Sequence, residues 1–99
     1  MEMTVRQEER CLEIALIGEL DHHAAREIGG RLDRAIEAAL PLVLDWSGVT
    51  FMDSSGIAVV MRVRQRVRDL GGAVTLRGVR PQARKVLDAA GLDRFVTVE

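Results

Sequence analysis

Leu42-Val43-Leu44-Asp45-Trp46, the connecting residues Ser47 to Met52, and then Asp53-Ser54-Ser55-Gly56-Ile57-Ala58-Val59-Val60 form the stretch that decides the architecture. Its first five residues are the short apolar run expected of an interior parallel strand. Ser47 to Met52 read as the link from that strand to a small polar loop, Asp53 to Gly56. Beyond the loop, Ile57, Val59, Val60, Val63, Val67 and Leu70 recur at helical spacing, and Gly71-Gly72 closes the helix because glycine enters the left-handed region without a steric penalty. A strand followed by a helix followed by a stop is half of a parallel crossover unit, and the flanking sequence repeats it. Downstream, Ala73 to Leu76 reads as a strand. Pro81 suits a first helical position, Val86, Leu87 and Ala90 give that helix its apolar stripe, Gly91 ends it, and Phe95 to Val98 is a last strand. Upstream, Cys11 to Ile17 alternates, with Leu12, Ile14 and Leu16 on one face. The polar turn Glu8-Glu9-Arg10 joins it to a short strand at Thr4 to Gln7 as a hairpin. Asp21 is placed to cap a helix carrying Ala25, Ile28, Leu32, Ala35, Ile36 and Ala39 on one side, with Pro41 as its stop. Within it, Gly29-Gly30 costs about 1 kcal/mol per glycine relative to alanine unless something packs unusually close.

The expected fold is therefore α/β and a single domain over residues 1–99. An N-terminal β-hairpin is followed by alternating helices and strands, in a mixed four- to five-stranded sheet with right-handed crossovers and the helices mainly on one face. Leu, Ile, Val and Phe account for 30 of 99 residues, well above the level of about 20% at which a charged chain stays disordered. A net charge of −1 offers no positive excess for releasing counterions from nucleic acid, which argues against DNA as a partner. One cysteine forms no internal disulfide, and with two adjacent histidines as the only imidazoles there is no ligand set for a structural zinc ion. The start, MEMTVRQEER, lacks the apolar run of a secretory signal, and no stretch approaches the ~18 apolar residues of a membrane span. The expectation is a soluble cytoplasmic protein without cofactor or metal.

The serine loop carries the chemistry. A helix N-terminus presents unpaired backbone donors and favours negative charge, so a phosphate on a serine of Asp53-Ser54-Ser55-Gly56 would be held there by N–H groups. The plainer alternative is that Ser54 or Ser55 is an N-cap and Asp53 a turn residue. Asp21, His22 and His23 invite a triad with Ser55, but a hydrolase elbow would read G-x-S-x-G and no glycine-rich phosphate loop occurs. Adjacent histidines point about 100° apart on a helix, which suits surface or first-turn packing better than shared metal binding. Arg62, Arg64, Arg66 and Arg68 spread over a broad helical face that reads as solvated, though Arg62 and Arg66, one turn apart, suit an acidic partner. Trp46 reads as core at a strand end and Cys11 as a packed thiol.

Two segments go beyond pattern: Gly18-Glu19-Leu20-Asp21-His22-His23 and Phe51-Met52-Asp53-Ser54-Ser55-Gly56-Ile57. With the strand Leu42 to Trp46 and the segment Leu87 to Leu92, the chain resembles the STAS-domain anti-sigma factor antagonists, most specifically the sporulation type, over nearly its whole length. The resemblance implies a phosphorylation-controlled binding module and not an enzyme. The unmodified antagonist binds an anti-sigma factor that is also a GHKL-type serine kinase, freeing a sigma factor. The kinase then phosphorylates the antagonist and releases it, and a serine phosphatase restores it. The family's phosphoacceptor falls on Ser55. Asp53, Ser54 and Gly56 shape its loop, Asp21 borders the same partner surface, and Arg62 is counted with that surface as a basic neighbour. Arg80 stands where the family often has a capping Ser or Asn, and the chain ends at Glu99, where many relatives continue into a further helix. The alternative is a STAS subunit of a transporter ATPase or a stress-sensing assembly, against which the GELDHH segment argues. A weak nucleotide-binding activity is a third reading that no P-loop supports.

Overall fold

Alternating hydrophobicity in the first twenty residues produces the expected hairpin. In the computed structural model, which describes residues 1–37 and 41–99, β1 (Glu2–Gln7) runs antiparallel to β2 (Leu12–Leu20). The chain continues through α1 (His22–Ala35), β3 (Leu42–Met52), α2 (Ser54–Asp69), β4 (Val74–Arg77), α3 (Pro81–Ala89), a 3-10 turn (Leu92–Arg94) and β5 (Thr97–Val98). The five strands lie in the order β1-β2-β3-β4-β5, with β2 to β5 mutually parallel. Each helix joins a strand to its next neighbour in the same direction, so right-handed crossovers set all three helices on one face. That face is the core. Leu12, Ile14 and Leu16 of β2, Leu42, Leu44 and Trp46 of β3, and Val74 and Leu76 of β4 are all buried against Ile28 and Leu32 of α1, Val60, Val63 and Val67 of α2, and Leu87 of α3. Each such side chain contributes about 1.5–3 kcal/mol of burial. The opposite face carries Glu13, which receives Arg6 and Arg77 at 2.8 Å each.

Several boundaries differ from the sequence reading: β2 runs on past Ile17 to Leu20, the last strand is Thr97–Val98 and not Phe95 to Val98 because Leu92–Arg94 form a 3-10 turn ending at Phe95, and two further differences bear on the site. α1 stops at Ala35 instead of running on to Pro41. Ile36 takes up extended backbone and turns its side chain into the core, 1% exposed, while Arg66 Nε donates to its carbonyl at 2.9 Å. That bond supplies a partner to one of the carbonyls a helix end leaves open. Ala39, expected on the same stripe, lies outside the described residues. β3 is more than twice as long as its apolar run, because Ser47 to Met52 are strand and not connection. Two register irregularities against β2, between Ala15 and Ile17 and between Gly18 and Glu19, each insert an extra residue into β3. The buried positions therefore change from every second residue, Leu42, Leu44 and Trp46, to every third, Val49 and Met52, and the period-2 signal is lost. Trp46 consequently sits within the strand, fully buried. At the far end of α2, Gly71 with φ of 85° makes the expected stop.

Candidate functional site

β2 and β3 end side by side, Leu20 paired with Met52, and the next residue of each strand is an aspartate. Asp21 and Asp53 adopt nearly the same backbone, φ −98° and ψ −175° against φ −106° and ψ −168°. Each caps the helix that follows, Asp21 Oδ1 accepting from Ala24 N–H at 2.9 Å and Asp53 Oδ1 from Ser55 N–H at 2.8 Å. Asp53 N–H donates in turn to Leu20 carbonyl at 3.3 Å. The two motif segments thus meet at the carboxyl ends of parallel strands, where α/β sheets characteristically place their sites.

The cap itself differs from the plainer expectation: Asp53 is the N-cap, Ser54 is the first helical residue and Ser55 the second. Ser54 is exposed, Ser55 half-buried and Gly56 buried. Two of the backbone donors expected to cradle a phosphate are already taken, Gly56 N–H by Asp53 carbonyl at 3.0 Å and Ser55 N–H by the Asp53 carboxylate.

Below the loop, packing is tight. Trp46 Nε1 donates to Met52 Sδ at 3.4 Å, and a Cβ on Gly56 would collide with Met52 Cγ and fall 2.5 Å from its sulfur. Glycine at 56 lets the first turn of α2 settle directly on Met52. Sequence reasoning missed the residue that fixes Met52 from outside. β4 pairs β3 only as far as Asp45, so the outer edge of β3 is open beyond it. Gln82, in the first turn of α3, closes that edge with both amide atoms, Oε1 accepting from Met52 N–H at 2.9 Å and Nε2 donating to Met52 carbonyl at 2.8 Å. Arg80 Nε donates to Ser47 carbonyl at 2.8 Å, so α3 starts at Pro81 with Arg80 as an N-cap that makes no side-chain cap bond. No local signal marks this, because the partners are 30 residues apart. Gln82→Leu should leave both Met52 backbone groups to water. We expect a loss of about 1 kcal/mol in urea unfolding and faster hydrogen exchange at the Met52 amide, with little change at Leu44.

The arginine face of α2 is open to solvent as its spacing suggests, with Arg62 exposed and Arg64 and Arg66 partly so, yet these three also reach neighbouring elements. Arg62 forms a forked pair with Asp33 of α1, Nε to Oδ1 at 3.2 Å and Nη2 to Oδ2 at 2.6 Å. This hydrogen-bonded guanidinium holds the Asp33 carboxyl below its ordinary range. A Cβ on Gly29 would lie 2.8 Å from Arg62 Nη1, which is the close approach that Gly29 in mid-helix implied. Arg64 Nε donates to Phe95 carbonyl at 2.8 Å with its guanidinium over the Phe95 ring, and Arg66 closes α1. Arg68 stays exposed. His22 and His23 are exposed on the first turn of α1, and no group of three His, Cys, Asp or Glu suited to a metal occurs among the described residues. Between α1 and α2 runs a cavity of about 240 Å³ whose walls include His22, Ala25, Arg26, Ser55, Val59 and Arg62. No helix of the described residues is long and apolar enough to cross a membrane.

The family description of the STAS domain matches residues 2–99. The chain is 34% identical over 94 residues to an anti-sigma F factor antagonist of Lysinibacillus sphaericus, spanning 93% of this chain and 78% of that one. Among solved structures, the anti-sigma factor antagonist SpoIIAA in its unphosphorylated form aligns with a TM-score of 0.81 at 28% identity, covering 99% of this chain and 88% of the other. The Bacillus cell fate determinant SpoIIAA in its phosphorylated form aligns with a TM-score of 0.72 at 27% identity, covering 99% and 91%. With a match that runs nearly end to end, and with both motif segments joined at one corner of the sheet, the chain belongs to the STAS domain family.

Proposed function

We propose that this chain is an anti-sigma factor antagonist, a binding protein and not an enzyme, whose docking is controlled by phosphorylation of Ser55. Unmodified, it binds an anti-sigma factor that is also a GHKL-type serine kinase and so frees a sigma factor. Phosphate on Ser55 ends that binding, and a serine phosphatase restores it. The observation that carries the reading is the junction at which Asp21 and Asp53 cap adjacent helices around a half-exposed Ser55. The naming of relatives as anti-sigma F factor antagonists, and of SpoIIAA in unphosphorylated and phosphorylated forms, supports it.

The physics of the switch follows from charge. A phosphoserine carries about −1.5 to −2 at neutral pH, and negative charge at a helix N-terminus is locally favoured, so modification should leave the domain folded. Its cost then falls on the docked interface, beside the carboxylates of Asp21 and Asp53. Asp53, Ser54 and Ser55 form the centre of the surface, supported from beneath by the buried Gly56, with Asp21 as its neighbour. Arg62 contributes from the rim, where its pairing with Asp33 fixes it. Incubation with the cognate anti-sigma kinase and ATP, followed by mass mapping, should place a single phosphate on Ser55. Phosphate on Ser54, or on neither serine, would refute the assignment.

A further inference from the structure

We propose that the groove between α1 and α2 is a receptor in cis for the phosphate of Ser55, with Arg26 as the residue that takes its charge. The inference rests on Ser55 being the phosphoacceptor and names how that same site is regulated. Two backbone donors nearest Ser55 are committed to Asp53, one to its carboxylate and one to its carbonyl. A phosphate there sits next to the Asp53 carboxylate and needs cations from elsewhere. The groove supplies them. Ser55 lines it together with His22 and Arg26 of α1 and Arg62 of α2. Both helices follow parallel strands, so their N-termini lie together, and helical side chains lean toward the N-terminus of their own helix. Arg26, one turn after His22, therefore leans toward the end of the groove where Ser55 stands.

The charged groups at this corner are few. His22 and Arg26 face the groove from α1 and Arg62 from α2, Asp21 and Asp53 are the carboxylates at the two helix starts, and His23 and Glu27, 4.0 Å apart, share a neighbouring pocket with His22 and Arg26. Arg62 is held by both Asp33 oxygens, whereas Arg26 is exposed and forms no ion pair among the described residues. Arg26 is thus the cation at liberty to turn to the phosphate, with His22 assisting when protonated. Arginine binds phosphate oxygens in a fork, which makes the pairing directional as well as electrostatic. A phosphate folded back in this way fills the mouth of the groove, so a partner that docks at the two caps loses space as well as charge complementarity.

The test uses the full chain with phosphoserine installed at position 55 during translation and phosphorus NMR followed against pH. In the folded protein the second phosphate pKa should lie about one unit below its value in the same chain unfolded in urea. Arg26→Gln should remove most of that difference, while Arg31→Gln, an exposed arginine of α1 outside the groove, should leave it in place. Thermal melts establish that both variants are folded. A folded-state titration equal to the unfolded one, or a difference that survives Arg26→Gln, would overturn the proposal. The titration does not involve the kinase, so a phosphate mapped elsewhere by the kinase would sink the proposed function without altering this result.

Discussion

Ser55→Ala is expected to bind the anti-sigma partner as tightly as the unmodified chain and to remain bound when kinase and ATP are present, whereas Ser55→Asp should bind at least about tenfold more weakly. The asymmetry comes from where the side chain sits. Ser55 is the second residue of α2, half-buried, with its backbone N–H already taken by Asp53, so removing the hydroxyl disturbs neither cap nor core. Introducing a carboxylate puts a new charge two residues from Asp53 and near the Asp21 cap, and an interface that tolerates two negative groups must then face three. Like-charge juxtaposition across a docked surface costs several kcal/mol, and about 1.4 kcal/mol already gives a tenfold loss. Isothermal titration against the purified partner reads both variants. Equal affinity for Ser55→Asp and Ser55→Ala would mean that charge at this position does not govern docking.

Gly56→Ala should destabilise the fold by about 1–3 kcal/mol, the range for forcing extra volume into a packed core. Its Cβ would enter the space held by Met52 Cγ and Sδ, with Leu20 Cδ2 at 3.2 Å on the other side. Met52 has little room to retreat, because its backbone is clamped by Gln82 and its sulfur accepts from the Trp46 indole. The substitution should therefore be reported by the single tryptophan: a lower urea midpoint, together with altered native-state Trp46 emission as the indole loses its sulfur partner. An unchanged midpoint would show that the helix start can lift off Met52 without cost, and the loop would then be far less rigid than its contacts indicate. Partner affinity is expected to fall with it, since the same shift displaces Ser54 and Ser55.

What was legible in the sequence, and what was not, divides along the range of the interactions. Asp21 as a cap, Pro81 as a helix start, Gly71-Gly72 as a stop and the alternation through Leu12, Ile14 and Leu16 are decided within a few residues, and the structure contains them all. The cap of α2 was harder, because Asp53, Ser54 and Ser55 all have capping side chains and only the backbone shows that Asp53 takes the role. The second half of β3 was hidden for a different reason: two inserted residues break the period on which a strand is recognised, and their cause is pairing with β2, some 30 positions earlier. Gln82 on Met52, Arg66 on Ile36 and Arg62 on Asp33 each join elements about 30 residues apart through ordinary polar side chains with no motif of their own. Arg62 and Arg66, on a face open to solvent, thereby also strut α2 against α1, and Gln82 holds α3 to the end of the sheet. The two motif segments are legible because each is contiguous; their supports are not.

The most direct measurement compares the Ser55-phosphorylated chain with the unmodified chain in titrations against the anti-sigma kinase, with a thermal melt of each alongside. About a thousandfold weaker binding at an essentially unchanged melting temperature is the predicted result, corresponding to about 4 kcal/mol placed at the interface and none in the fold. Equal affinities would contradict the account, and so would a phosphoprotein that loses binding only because it has unfolded.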